Sequence, residues 1–293
     1  MTKIPSKVQT RLIAGIKKFQ PILAEAKSRG INDRSRSVNE SDTVIIIIEM
    51  LCEIFGYDKF TEITSEKEIR GTYCDLATVI ETKVQTLVEA KAINQTLKDN
   101  YVNQAVGYAT LKGVNWVLLT NGVIWQVYKV LFTKPIDHEL VLEIDFLALN
   151  HHEQADLEKL FLLTKESWPK SALSEYSDLV KASSKYFIAA VILSDPVLNA
   201  IRHELKQISP DVKIDTEQVR SVLEKEVLLE EVIKGVKADE AHKLVTKAAN
   251  KELKNKADKE LAEGNTVLIQ KTPSVPPAVV TQPIAPTPPE PLS

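Results

Sequence analysis

Val84-Gln85-Thr86-Leu87-Val88-Glu89-Ala90-Lys91 is an apolar, β-branched run that ends in an acid and a base two residues apart. Such a run reads as a strand. Side chains alternate along a strand, so Glu89 and Lys91 emerge on the same side of it. Upstream, 60–69 and 72–80 share its Thr/Val/Ile texture. Breaks at Gly71 and at Glu81-Thr82-Lys83 make the three a predicted meander. Residues 97–112 have helical spacing. Two strands, 115–120 and 123–130, follow, joined by Asn121-Gly122, a dipeptide suited to the positive φ of a tight hairpin, and 140–146 adds an edge strand. Before the meander, 39–55 predicts a helix capped by Asn39 or Ser41 and ended by Gly56. Its isoleucines would also suit a strand, but Leu51, Ile54 and Phe55 continue the helical period. The order helix, three strands, helix, two strands predicts an α/β fold with a mixed sheet flanked by helices.

The flanks differ in kind. In 6–28, Val8, Leu12, Ile16, Phe19 and Leu23 recur at helical spacing between Lys and Arg, and Pro21 predicts a kink or break near Gln20. From 151 the chain is charged and helical, with segments expected at 152–164, 170–192, 195–207, 216–234 and 238–262. Residues 272–293 hold eight of the fourteen prolines, a composition that buries no core and predicts a disordered, extended tail. The expected organisation is a basic helical arm (1–38), the α/β domain (39–150), a helical extension (151–264) and a Pro-rich tail (265–293).

The 293 residues carry a net charge of -3 and are 44% hydrophobic, as in an ordinary soluble protein. The longest aliphatic run, 44–48, is far short of the roughly 20 residues of a membrane helix. No secretory signal is read, and Cys52 and Cys74 make neither a disulfide framework nor a zinc spacing. A cytoplasmic protein with no membrane partner is expected. The small net charge conceals an uneven distribution. Residues 1–38 hold nine basic and two acidic residues; 39–150 hold nine and sixteen; the remainder holds nineteen and twenty-two. A basic arm therefore precedes an acidic middle.

Phosphate-binding loops, dinucleotide fingerprints, nucleophile elbows and HExxH zinc motifs are all missing from the sequence. His151-His152 reads as a solvated helix start rather than a metal pair. What remains is Asp75 in one strand and Glu89 with Lys91 at the end of the next. Acid-x-Lys also occurs at 81–83, 204–206, 211–213 and 252–254, but those fall in a turn or in the helical remainder of the chain. Antiparallel pairing can bring Asp75 beside Glu89. Two carboxylates could then hold Mg²⁺ or Mn²⁺ through hard oxygens. Lys91 could orient water or neutralise charge on a phosphate. Taken alone, the three residues fit a strand-end salt bridge better.

The surrounding residues change that weighting. Asn39-Glu40-Ser41-Asp42-Thr43, Gly56-Tyr57-Asp58, Tyr73-Cys74-Asp75-Leu76, Leu87 to Ala92, Gln104-Ala105-Val106-Gly107-Tyr108-Ala109, Leu118 to Gly122 and Trp125 to Tyr128 stand in one order. In that order and spacing, 39–130 resembles the N-terminal nuclease domain of type I restriction enzyme R subunits, a branch of the PD-(D/E)XK superfamily. The resemblance implies a restriction-endonuclease-like fold and Mg²⁺-dependent hydrolysis of DNA, in restriction or defence. It implies that Asp75 and Glu89 bind metal and that Lys91 is the catalytic lysine. Gln104 and Tyr108 match the Gln-x-x-x-Tyr motif that helps position DNA. Glu40 would be the helix acid near the metal, with Glu49 and Glu53 as competitors. Cys74 stands where the superfamily has Pro, and Val44 where related sequences often carry Arg.

With no ATP-binding or adenine-methyltransferase signature in the chain, specificity would come from a partner or from the helical region. The basic arm, with Lys17 and Lys18, is the expected contact for the nucleic-acid backbone. Trp116 and Trp125 are expected in the core, and the lysines at 243, 247, 251 and 254 on a solvated face. The residues themselves do not separate DNA from RNA. A nucleic-acid-binding scaffold without turnover is the alternative, favoured by the acidic middle. A third possibility is an adaptor that recruits a protein through the tail.

Overall fold

The computed structural model describes residues 3–32, 38–65 and 74–251. The chain divides into two compact units, Met1–Ser183 and Ser184–Ser293. Tyr73, the expected turn at Gly71, residues 66–69 of the first expected strand, Lys254 and the Pro-rich tail lie outside the described residues.

Among the described residues of the first unit, helices α1 (Ser6–Asn32) and α2 (Glu40–Glu53) precede strands β1 (Ile63–Ser65), β2 (Leu76–Ile80) and β3 (Lys83–Ala90). Helix α3 (Asp99–Lys112), β4 (Trp116–Thr120), β5 (Ile124–Leu131), β6 (Asp137–Asp145), α4 (Gln154–Phe161) and α5 (Ala172–Ala182) follow. The six strands form one sheet in sequence order. Every neighbouring pair is antiparallel except β3–β4, which is parallel and linked through α3. The sheet is thus mixed and flanked by helices, as the order of elements predicts.

Both faces of the central strands are covered, so β3 and β4 become nearly continuous buried runs. Leu76, Val88, Ala90, Trp116 and Leu118 face a core built with α1, α2 and α4. Ala77, Leu87, Val117 and Leu119 face a second core completed by Val102, Ala105, Val106 and Ala109 of α3. Trp116 and Trp125 are both buried, and Trp125 Nε1–H donates to the Gly122 carbonyl at 2.8 Å.

Local chemistry sets the ends of the elements. Asn39 caps α2 with a capping box, its side chain accepting from the Asp42 N–H while Asp42 accepts from Asn39. The β2–β3 hairpin turns on Glu81 and Thr82, both at positive φ. Within the described residues the first expected strand starts only at Ile63, three residues late, and Phe60 is 89% exposed. The cause is Asp58, whose Oδ1 accepts from the Phe60 and Thr61 N–H groups and the Thr61 hydroxyl, closing a turn where a strand was expected.

Of the kink or break expected near Gln20, the break does not occur: helix α1 continues through Pro21. Pro21 sits on the exposed side, while Ile16, Phe19, Leu23 and Ala26 bury one continuous stripe across it. The Gln20 amide also ties the helix to the carbonyls of Phe146 and Leu149, at 3.1 and 2.8 Å. Val8, Leu12, Ile16, Phe19 and Leu23 lie in the main core, and residues 151–183 belong to the same compact unit.

The second unit holds α6 (Lys185–Ile192), α7 (Asp195–Ile208), α8 (Thr216–Val222), α9 (Glu230–Ile233) and a helix over 236–251. Arg220 ties it together, donating to the Leu193 carbonyl at 2.9 Å and to Asp195 at 3.0 Å. Among the described residues no helix is long and apolar enough to cross a membrane.

Arg11 links the α2 end to the segment after α4. It donates to the Ile54 carbonyl at 2.9 Å and bidentately to Glu166 at 2.8 and 2.7 Å. Burial alone would push the Glu166 carboxyl up, but the Arg11 fork outweighs it and holds the group below its ordinary range. A carboxyl depressed in the folded state stabilises above its unfolded pKa, about 4.3, and loses that contribution as pH falls through the folded value. Glu166→Gln is therefore expected to cost roughly 1 kcal/mol near neutrality. Chemical denaturation across pH should show the gap to wild type constant above pH about 5.5 and closing under acid. Gly56 has φ +82, and a Cβ there would lie 2.6 Å from the Arg11 guanidinium. Gly56→Ala should lower thermal stability by about 1–3 kcal/mol, in strained backbone and a displaced Arg11.

Candidate active site

The central strand brings the residues together. Leu76 of β2 pairs with Val88 of β3, so the antiparallel register carries Asp75 beside Glu89. Strand β2 starts only at Leu76, so the next β3 amide on that edge has no ladder partner. Asp75 supplies one: its Oδ2 accepts from the Ala90 N–H at 2.7 Å. Glu89 shares the α3 face with Leu87 and is 5% exposed. Lys91 Nζ donates to Glu89 Oε1 at 2.7 Å and to the Ala90 carbonyl at 2.9 Å. Glu40, at the start of α2, reaches the same ammonium at 3.7 Å. Glu40, Asp75, Glu89 and Lys91 thus converge at one end of the sheet. The competing helix acids do not: Glu49 pairs with Lys59 and Glu53 with Lys18.

Burial pushes the Glu89 carboxyl above its ordinary range, and the Asp75 and Glu40 charges add to this while Lys91 opposes it. Burial pulls Lys91 down, but its carboxylate partners more than compensate and raise it. The donors present are hard oxygens, of the kind Mg²⁺ or Mn²⁺ takes. In chemistry they fit such an ion. Among the described residues, however, no group of three or more His, Cys, Asp or Glu side chains is gathered to hold a metal.

The loop after β3 is held in place by contacts with three other parts of the chain. Lys91 N–H donates to the Thr120 carbonyl at 2.8 Å. The buried Thr43 hydroxyl accepts from the Ile93 N–H at 3.1 Å and donates to the Asn39 carbonyl at 2.7 Å. Asn121 donates to the Gln95 carbonyl at 3.0 Å while its Oδ1 accepts from the Val123 and Ile124 N–H groups. Gln95 donates to the Tyr101 hydroxyl at 2.7 Å, and the Tyr101 ring lies 5.5 Å from Lys91 Nζ. Sequence reasoning passed over Thr43, Gln95 and Tyr101 as site residues and took Asn121 only as a turn former. Nothing in their local spacing marks them: the Thr43–Ile93 and Asn121–Gln95 contacts span 50 and 26 residues, and Gln95 meets Tyr101 only once the loop is folded.

The other expected contacts separate. Gln104 is exposed on α3, about one turn from Tyr101. Tyr108 is 2% exposed, packed in the core between α3 and the sheet, so its ring has almost no surface to offer a ligand. Lys18 pairs with Glu53 at 2.6 Å. Glu53 lies at the opposite end of α2 from Glu40, about 20 Å along the helix at 1.5 Å per residue. Lys17 acts electrostatically on His151. Arg29 of α1 lines a groove with Asp42, Ile45 and Ile46 of α2 and pairs with Glu25 of its own helix. The His151 and His152 rings lie 4.0 Å apart, without a metal-binding group around them among the described residues.

No family model, curated protein or solved structure matches the chain.

Thr43→Val would leave the Ile93 N–H without its acceptor while keeping the shape of the side chain. The expected loss is about 1–3 kcal/mol. Hydrogen exchange at Ile93 should accelerate by more than at Lys91, whose amide keeps Thr120; equal acceleration would contradict the assigned role of Thr43.

Proposed function

We propose that this chain is a metal-dependent nuclease-type protein that hydrolyses DNA phosphodiester bonds, in restriction or defence. The observation that carries the reading is the meeting of Asp75, Glu89, Lys91 and Glu40 where the central strand ends. The order α2, meander, α3, parallel β4 supports a restriction-endonuclease-like fold. Asp75 and Glu89 would hold Mg²⁺ or Mn²⁺, with Glu40 and the Ala90 carbonyl as further oxygens. When bound, such an ion lowers the pKa of water and stabilises charge on a phosphate. Lys91 would orient the attacking water or neutralise charge developing on the phosphate. Gln104, exposed one turn from Tyr101, would contact the strand being cut. Tyr108 would support that helix from beneath, and sequence specificity would come from a protein partner or the helical unit. The expected result is Mg²⁺-dependent cleavage of duplex or single-stranded DNA that falls at least about 100-fold in Asp75→Ala and Lys91→Ala. Cleavage surviving both substitutions would remove the assignment.

One observation favours a second reading, a nucleic-acid-binding scaffold without turnover: the described residues hold no ready-made metal group. Calorimetric Mg²⁺ titration separates the two. Binding that depends on Asp75 and Glu89 supports the nuclease, and its absence supports the scaffold.

A further inference from the structure

A cation already occupies three of the four proposed metal ligands, all but Asp75. Lys91 Nζ lies 2.7 Å from Glu89 Oε1, 2.9 Å from the Ala90 carbonyl and 3.7 Å from Glu40 Oε2. Its side chain is only 12% exposed, so the ammonium has exchanged most of its hydration for these oxygens. An ammonium offers three donors and needs acceptors; a divalent ion needs the same lone pairs. Two cations a few ångströms apart also repel strongly where water is largely excluded.

We infer that Lys91 is the resident counter-ion of this site and competes with divalent cations for it, so that metal entry requires its ammonium to leave Glu89 and the Ala90 carbonyl. The inference rests on reading Asp75 and Glu89 as cation ligands. A second partner for the displaced charge is already in place. The Tyr101 ring lies 5.5 Å from Nζ, within cation–π range. Gln95 holds its hydroxyl at 2.7 Å, and Asn121 holds Gln95. The ammonium can therefore give up the carboxylate without becoming unpartnered. Until then it neutralises Glu89, whose burial would be costly for a lone charge. One residue thus stabilises the metal-free protein and sets a threshold cation concentration for loading.

The test is calorimetric titration of the full chain with Ca²⁺ or Mg²⁺ alone, which reads binding rather than turnover. Lys91→Met, which keeps the stem and removes the charge, is expected to bind at least about tenfold more tightly than wild type. Lys91→Gln should show the same gain, and serves if the Met variant folds poorly by circular dichroism. Lys91→Arg, which keeps the charge, should show no gain. Adding Glu89→Gln to Lys91→Met should abolish it. If wild type binds and neither neutral variant binds more tightly, the competition is wrong while the metal site stands. If no form binds a divalent cation, the metal reading itself fails and takes the inference with it.

Discussion

The parallel ladder between β3 and β4 closes with the Lys91 N–H donating to the Thr120 carbonyl. Parallel strands cannot be joined by a hairpin, so the chain must cross over, and α3 is that crossover. The crossover covers one face of the sheet while α1 and α2 cover the other. The strand in the middle is therefore buried on both sides, and whatever it carries at its end is partly desolvated. A glutamate placed there must be paired, and a lysine two residues on is the shortest way to pair it.

The same ladder explains why Asp75 belongs to the site. Strand β2 begins one residue later, leaving the Ala90 amide without a backbone acceptor. Asp75 completes that edge with its side chain. It thereby does structural work and is held by the geometry of the sheet rather than by a flexible loop. Glu40 arrives by a different route, through the capping box at Asn39 that sets the first turn of α2. The loop from Lys91 to Asp99 is fastened at three points, to Thr43, Thr120 and Asn121, so the elements that surround the charges also restrain them.

Charge distribution takes on a different meaning in three dimensions. The basic N-terminal segment looked like an arm for phosphate, yet its apolar stripe is needed to close the main core. Its lysines are consequently spread around a packed helix, and Lys18 is spent on Glu53 far from Glu40. Part of the acidity of 39–150 is matched within the fold in the same way, by Lys59 on Glu49 and Lys165 on Glu62.

Much of the architecture was legible in the sequence because periodicity is a local property. The apolar run ending at Glu89, the Asn39 cap, the helix after the meander and the Asn121-Gly122 turn each follow from a few adjacent residues. Phe60 to Thr61 was misjudged because a single side-chain oxygen, on Asp58, outweighed β propensity. No break follows Pro21, because the apolar stripe buried on either side of it outweighs its local penalty. Glu89 and Lys91 could be placed on one side of a strand by alternation alone. That Asp75 would meet the Ala90 amide, that Glu40 rather than Glu49 or Glu53 would face the ammonium, and that Thr43, Gln95 and Tyr101 would hold the loop were decided only by tertiary structure. Those contacts join residues distant in sequence, and their partners are chosen by strand register and helix placement, which no local pattern encodes.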